Sequence, residues 1–291
     1  MFRSGSVLIV PLVLALASPA ASGFEETAVR TSYEVEVLKD ISYYEGPDAD
    51  PVKHKLDLYL PKGKQAFPVL LFVHGGAWMS GDKNYFFDVY GKVGKNFARQ
   101  GIGTVVTNYR LTPKVQHPGH IQDVARAFAW TKRNISRHGG DPSQLFVCGH
   151  SAGGHLAALL ATDPRYLEAV QCSLKDIRGA IPLSGVYNLP PGKLFDNVFT
   201  ADAETRKQAM PLTHVKGGHP PFLILYAESD FPLCDRMSEE FCTALKKCSC
   251  EARVERIKER DHLSIIAHVG NAGDPAVDLM VKFIHGKSSA K

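Results

Sequence analysis

The pentapeptide Gly149-His150-Ser151-Ala152-Gly153 sets a serine between two glycines, each two positions away. A serine hydroxyl is a weak nucleophile until a neighbouring base takes its proton, and that base needs a carboxylate to orient it. A turn tight enough to lift the hydroxyl clear strains the backbone at the serine. Side chains two residues to either side would then collide, which accounts for Gly149 and Gly153. The N–H of Ala152 opens a predicted helix, where partial positive charge favours an anion. Upstream, His74-Gly75-Gly76-Ala77-Trp78 offers a glycine loop whose N–H groups can face a developing oxyanion. Gly75, Gly76 and Ala152 are the candidate donors, and the sequence does not choose between the two glycines. His74 reads as an orienting hydrogen-bond residue. Trp78 fits a packing aromatic and a substrate contact equally, and His150 is a second candidate for substrate contact.

An acid and a base are expected after the serine, in that order. The apolar run 222–227 ends in Glu228-Ser229-Asp230. Asp230, farther into the loop beyond the strand, is the expected acid, with Glu228 the alternative. The strand predicted over 251–257 leads into Glu259-Arg260-Asp261-His262, and His262 is the expected base. Asp261 reads as a turn residue, and His268 and His285 as ordinary helical histidines.

Elements that alternate between strand and helix must hold these residues. Residues 33–44 and 54–60 read as an antiparallel hairpin, the second strand alternating apolar and polar positions. The continuous apolar runs 68–73, 102–107 and 145–148 suit strands buried on both faces. Further strands are predicted near 178–183, 221–227 and 251–257. Helices are predicted over 86–99, 120–137, 152–162, 236–247 and 275–285. This order implies right-handed crossovers and a mostly parallel, doubly wound sheet. The expected organisation is one α/β domain over 24–287. Residues 185–219 are too long for an ordinary connection and are expected to form at most a small cap.

The chain has 291 residues, 44% hydrophobic and 22% charged, which excludes a mainly disordered or low-complexity protein. With 34 basic against 30 acidic residues and no basic block, no nucleic-acid partner is expected. Residues 1–22 read as a secretory signal: Arg3, an apolar run from Val7 to Leu16, then small residues, with cleavage after Ser22 or Ala20. The run is shorter than the roughly 20 residues of a membrane span, so no stable membrane insertion is expected after cleavage. The expected location is secreted or periplasmic. Export would permit disulfides, and Cys234, Cys242, Cys248 and Cys250 cluster closely enough for a local bridge. Cys148 reads as a buried free thiol. No metal site is expected, since Cys248-x-Cys250 lacks a second pair.

Together, His74-Gly75-Gly76-Ala77-Trp78, Tyr109-Arg110-Leu111, Gly149-His150-Ser151-Ala152-Gly153-Gly154-His155-Leu156, Asp230 and His262 resemble the α/β-hydrolase carboxylesterases over roughly residues 50–285. His150 before the serine and the H-G-G-x-W loop resemble the feruloyl-esterase-like and kynurenine-formamidase-like branch. The hormone-sensitive-lipase branch instead carries H-G-G-G and an Asp before the serine. The resemblance implies serine hydrolase chemistry on a small-molecule ester, with no metal and no cofactor. Short- to medium-chain acyl esters, including acyl or feruloyl esters of carbohydrates, are the expected substrates. An amidase or formamidase is the alternative activity, and a non-catalytic binding protein on the same fold is the alternative class. Arg110, His117 and Asp123 read as structural.

Overall fold

The computed structural model describes Met1 and residues 32–288. The expected signal segment lies outside the described residues. Residues 32–288 form one compact body. Its elements run β1 (Val35–Ser42), β2 (Lys55–Pro61), β3 (Phe67–Val73), α1 (Tyr85–Arg99), β4 (Gly103–Thr107) and α2 (Gly119–Asn134). Then come β5 (Gly140–His150), α3 (Ala152–Thr162), α4 (Pro164–Glu168), β6 (Ile177–Leu183), α5 (Lys193–Phe199) and α6 (Ala203–Gln208). The chain continues with β7 (Phe222–Ser229), α7 (Cys234–Lys247), β8 (Ala252–Asp261), α8 (Ser264–Val269) and α9 (Pro275–Ser288).

Among the described residues, eight strands form one sheet in the order β1-β2-β4-β3-β5-β6-β7-β8. β1 and β2 pair antiparallel, β2 joins β4 antiparallel, and every other pair is parallel. This is the expected α/β-hydrolase architecture, with an antiparallel hairpin on a mostly parallel sheet. In β3 alternate residues serve opposite faces. Val69, Leu71 and Val73 join a core with Ile121, Val124 and Phe128 of α2 and Leu156, Leu159 and Leu160 of α3. Leu70 and Phe72 join a second core with Val93 and Phe97 of α1 and Val277, Met280 and Ile284 of α9. Each such fully buried side chain contributes about 1.5–3 kcal/mol, so burial on both faces fixes the strand's register.

β3 has β4 on one side and β5 on the other, so connections leave it in both directions. Ligand sites of open parallel sheets lie at the carboxyl ends beside such a switch. The registers gather the chemistry there. Val73 sits opposite Gly149, which sets the His74 loop beside Ser151. His150 sits opposite Leu183, Leu183 opposite Leu225, and Ser229 opposite Asp261. Asp230 and His262 therefore leave neighbouring strand ends.

The connection between β6 and β7 carries α5, α6 and a 3-10 turn at Pro211–His214. It is anchored to the body: His155 donates Nε2–H to the Ala209 carbonyl at 2.8 Å, and the His117 N–H donates to the Val198 carbonyl at 2.9 Å. All six cysteines are free, so the expected local bridge does not form. Their side chains diverge: Cys234 turns to the Gly185 carbonyl, Cys248 to the Val215 carbonyl, and Cys242 into the core. Cys148 is the buried free thiol expected. Among the described residues, no helix is long and apolar enough to cross a membrane.

Candidate active site

Ser151 stands between β5 and α3 with φ 57° and ψ −118°, a region L-residues rarely occupy. The flanking glycines are sterically required. A Cβ on Gly149 would lie 2.3 Å from the Gly153 carbonyl oxygen, and one on Gly153 would lie 2.1 Å from that of Val73. The Ser151 N–H donates to the Leu183 carbonyl at 2.9 Å, which ties the elbow to β6.

Ser151 Oγ lies 2.9 Å from His262 Nε2, and His262 Nδ1 lies 2.6 Å from Asp230 Oδ1. A carboxylate only accepts, so Nδ1 carries the proton and the Nε2 lone pair faces the serine hydroxyl. Asp230 has donors on both oxygens. Oδ1 also accepts from the Phe231 N–H at 2.8 Å. Oδ2 accepts from the Ser184 hydroxyl at 2.5 Å and the Ala227 N–H at 2.9 Å. Burial pushes the Asp230 carboxyl up, but the hydrogen bonds from His262, Ser184 and Ala227 outweigh it and hold the group well below the usual carboxylate range. Glu228 points elsewhere: it is exposed and accepts from the Glu259 N–H. Asp261 caps the turn after β8 by accepting from the Leu263 and Ser264 N–H groups. The His262 ring is covered on one side by Phe231, stacked at 3.9 Å between centroids, while Phe231 itself stays 60% exposed. Leu233 and Leu263 are also exposed apolar residues close in sequence to this triad.

Two expectations for substrate contact are corrected by burial. The indole of Trp78 is 2% exposed, packed against Phe199 at 4.9 Å and Phe195 at 6.2 Å between centroids. It donates Nε1–H to His155 Nδ1 at 3.3 Å. Helix α5 closes over it, so it serves packing. His150 is also buried and donates Nε2–H to the His262 carbonyl at 2.7 Å. It therefore braces the base from behind. Burial and the neighbouring His262 lower its pKa to about 3, which keeps it neutral.

The oxyanion loop is corrected at one glycine. The Gly75 N–H is already spent on the Tyr90 hydroxyl at 2.9 Å, so Gly75 drops out as a donor. Its carbonyl accepts from His74 Nδ1 at 2.7 Å. Because a trans peptide sets C=O and N–H on opposite sides, this bond turns the Gly76 N–H away from His74. His74 is buried, stacked on Tyr109 at 4.4 Å, and burial lowers its pKa to about 4. Among the described residues, the N–H groups of Gly76 and Ala77 have no protein acceptor. Ala152 is the first residue of α3, where N–H groups have no intrahelical acceptor. Gly76, Ala77 and Ala152 are the open donors. Gly76, Ala77 and Trp78 all have positive φ, at 114°, 51° and 57°. The turn is closed by the Met79 N–H to the Gly76 carbonyl. A Cβ on Gly75 would lie 3.4 Å from Ser151 Cβ, so this loop passes directly over the serine.

Arg110 and Asp123 form the expected structural pair, with Nη2 and Nε 2.8 Å from the two carboxylate oxygens. His117 is buried, its Nε2 3.2 Å from the Tyr166 hydroxyl. Among the described residues, no group of three His, Cys, Asp or Glu side chains is placed to hold a metal ion.

The BD-FAE family model matches residues 56–245, which include the loop, the elbow and Asp230. The chain belongs to the BD-FAE family. It is 33% identical over 201 residues to the probable carboxylic ester hydrolase LipM of Mycobacterium tuberculosis, covering 62% of this chain and 46% of LipM. Esterase LipQ of the same organism is 32% identical over 204 residues, covering 64% and 47%. The chain thus spans about half the length of these two relatives. Kynurenine formamidase of Danio rerio is 28% identical over 280 residues, covering 92% of this chain and 88% of that one. Among solved structures, esterase B from Lactobacillus rhamnosis superposes with a TM-score of 0.74 at 21% identity, covering 89% of this chain and 88% of that one. A carbohydrate esterase from gut microbiota gives 0.74 at 18% identity, covering 90% and 98%. These likenesses establish the fold of this BD-FAE member.

Proposed function

We propose that this BD-FAE member is a serine carboxylesterase. The observation that carries the reading is the continuous chain Ser151 Oγ, His262, Asp230, at 2.9 and 2.6 Å, on a strained elbow beside open N–H donors. Ser151 Oγ attacks the ester carbonyl carbon while His262 Nε2 takes its proton. Asp230 keeps the imidazole in the required tautomer and stabilises the imidazolium. The N–H groups of Gly76, Ala77 and Ala152 receive the oxyanion. Collapse expels the alcohol, which takes the proton from His262. Water then gives a proton to His262 and attacks the acyl carbon, releasing the acid and restoring Ser151. LipM and LipQ, named as ester hydrolases, support this assignment.

Short- to medium-chain acyl esters, including those of carbohydrates, are the proposed substrates. The short helices between β6 and β7 and the exposed face of Phe231 beside His262 suit an open site. A second reading, hydrolysis of a formamide, is supported by the near full-length likeness to kynurenine formamidase. The same residues would attack a formyl carbon. Export is proposed from the N-terminal pattern alone. The test is turnover of p-nitrophenyl esters from acetate to decanoate, with Ser151→Ala as control. Turnover peaking at short or medium chains and falling by roughly 10⁶ in kcat without Ser151 is expected. Folded protein that ignores esters but cleaves N-formyl arylamines would establish the second reading instead.

A further inference from the structure

Ser184 follows β6 directly and is 1% exposed. Its hydroxyl donates to Asp230 Oδ2 at 2.5 Å, across 46 residues of sequence. Its backbone has φ 46°, in the left-handed region, and its N–H is fixed to the Leu225 carbonyl at 2.7 Å. Glycine adopts that conformation at least cost. A serine held there accepts backbone strain, which a gain from its side chain offsets. The side chain makes one polar contact of that kind, the bond to the carboxylate that orients the base. The opposite oxygen, Oδ1, is shared between His262 and the Phe231 N–H. Without Ser184, Oδ2 would lose its hydroxyl donor, and the carboxylate could rotate off the His262 axis.

We infer that Ser184 is a positioning residue for the reaction, a fourth member of the Ser151–His262–Asp230 relay that fixes the carboxylate and tempers its basicity. The inference rests on the serine-hydrolase reading of the site. Its consequence is directional. Removing a donor makes the carboxylate more basic, so it holds the His262 imidazolium more tightly and the base releases its proton less readily. The titratable groups facing this carboxylate and its histidine are His150 behind the ring, Cys234 and Tyr187 beside Asp230, and Asp261 next in sequence to His262. His150 is buried and neutral. Burial pushes the Cys234 thiol and the Tyr187 hydroxyl up, so neither carries charge at neutral pH. Asp261, exposed, has its carboxyl held low by Ser264 and Leu263. None of the four changes charge between pH 5 and 8, so none of them displaces the acid limb in that range.

The experiment compares wild type, Ser184→Gly and Ser184→Ala, reading melting temperature and the pH profile of kcat/KM on p-nitrophenyl butyrate. Glycine relieves the positive φ, so its melting temperature separates folding from positioning. The inference expects Ser184→Gly to melt within a few degrees of wild type, lose roughly tenfold in kcat, and move its acid limb upward. Ser184→Ala, which keeps the strain without the bond, is expected to show the same limb with a lower melting temperature. Wild-type kcat and an unmoved acid limb in the folded glycine variant would overturn the inference. An inactive wild type, or a Ser151→Ala variant as active as wild type, would overturn the hydrolase reading itself.

Discussion

Replacing Asp230 by Asn probes the relay where it is most tightly determined. The contacts on the carboxylate are donors: His262 and the Phe231 N–H on Oδ1, the Ser184 hydroxyl and the Ala227 N–H on Oδ2, with the Cys234 thiol beside them. An amide offers one acceptor oxygen and one donor NH₂. If the NH₂ takes the Oδ2 position, it confronts the Ala227 N–H, which cannot turn round. If it takes the Oδ1 position, it confronts the Phe231 N–H and forces His262 to accept at Nδ1. The proton then moves to Nε2, facing Ser151, and the base is disabled. The second arrangement loses roughly 10⁴ in kcat, as wrong-tautomer variants of such triads do. Either arrangement breaks hydrogen bonds to a charged, buried acceptor, worth about 1.5–3 kcal/mol. For a chain of this size a loss of about 2 kcal/mol lowers the melting temperature by about 4–8 °C.

The pH dependence has a defined sign. The folded Asp230 carboxyl sits below its unfolded value of about 3.9, so its stabilisation is complete above that pH. It fades as pH falls through the folded value. The stability gap between wild type and Asp230→Asn should therefore be widest near pH 7 and narrow below about pH 4. Urea unfolding at pH 7 and pH 3, with kcat at pH 7, measures all three effects. A variant within tenfold of wild-type kcat, with a gap that is the same at both pH values, would refute this assignment of the carboxylate.

Gly76→Ala should cut kcat by roughly 10²–10³, the usual effect of losing an oxyanion donor, because a Cβ there would lie 2.1 Å from the Ser80 carbonyl oxygen at φ 114°. Steady-state kinetics on an acetate ester decides it. Tyr90→Phe should lower stability by about 1–3 kcal/mol by leaving the buried Gly75 N–H unpaired, with kcat within a few-fold of wild type; a 100-fold loss of kcat would contradict a purely structural role for this bond. Stability should also fall as pH drops below about 6.5, where unfolded histidine protonates. Burial lowers His74, His117 and His120 to about 4 and His150 and His155 to about 3, so the folded chain takes up those protons only at lower pH. Chemical denaturation from pH 4 to 7 checks the slope, and a flat profile would contradict neutral burial.

The apolar runs made the central strands legible, because a strand buried on both faces has no polar alternation to blur it. Where polar residues entered, length was hidden. β5 begins at Gly140, ahead of the apolar run at 145, because Gly140 pairs with Phe67 through a register shift. β8 extends to Asp261 through Lys258, Glu259 and Arg260, charges that suit an edge strand. At the site, Ser151, Asp230 and His262 were visible because each follows a strand in a fixed order. Ser184 also ends a strand, but nothing local marks a lone serine as the partner of a carboxylate 46 residues on. Tyr90 was hidden for the same reason, and with it the commitment of the Gly75 N–H. Sequence leaves Trp78 open between packing and substrate contact because its cover, Phe195 and Phe199, comes from a segment with little periodicity. The cysteine cluster suggested a bridge by proximity in sequence, whereas α7 directs its thiols along different paths.

The central claim is that Ser151 is an activated nucleophile, and covalent titration with a fluorophosphonate tests it most directly. Intact mass and peptide mapping should find one phosphonyl group per chain, on the peptide bearing Ser151, in step with loss of ester turnover. Ser151→Ala should take up none. Folded wild type that stays unlabelled at Ser151, or labelling that persists at another residue in the variant, would contradict the account.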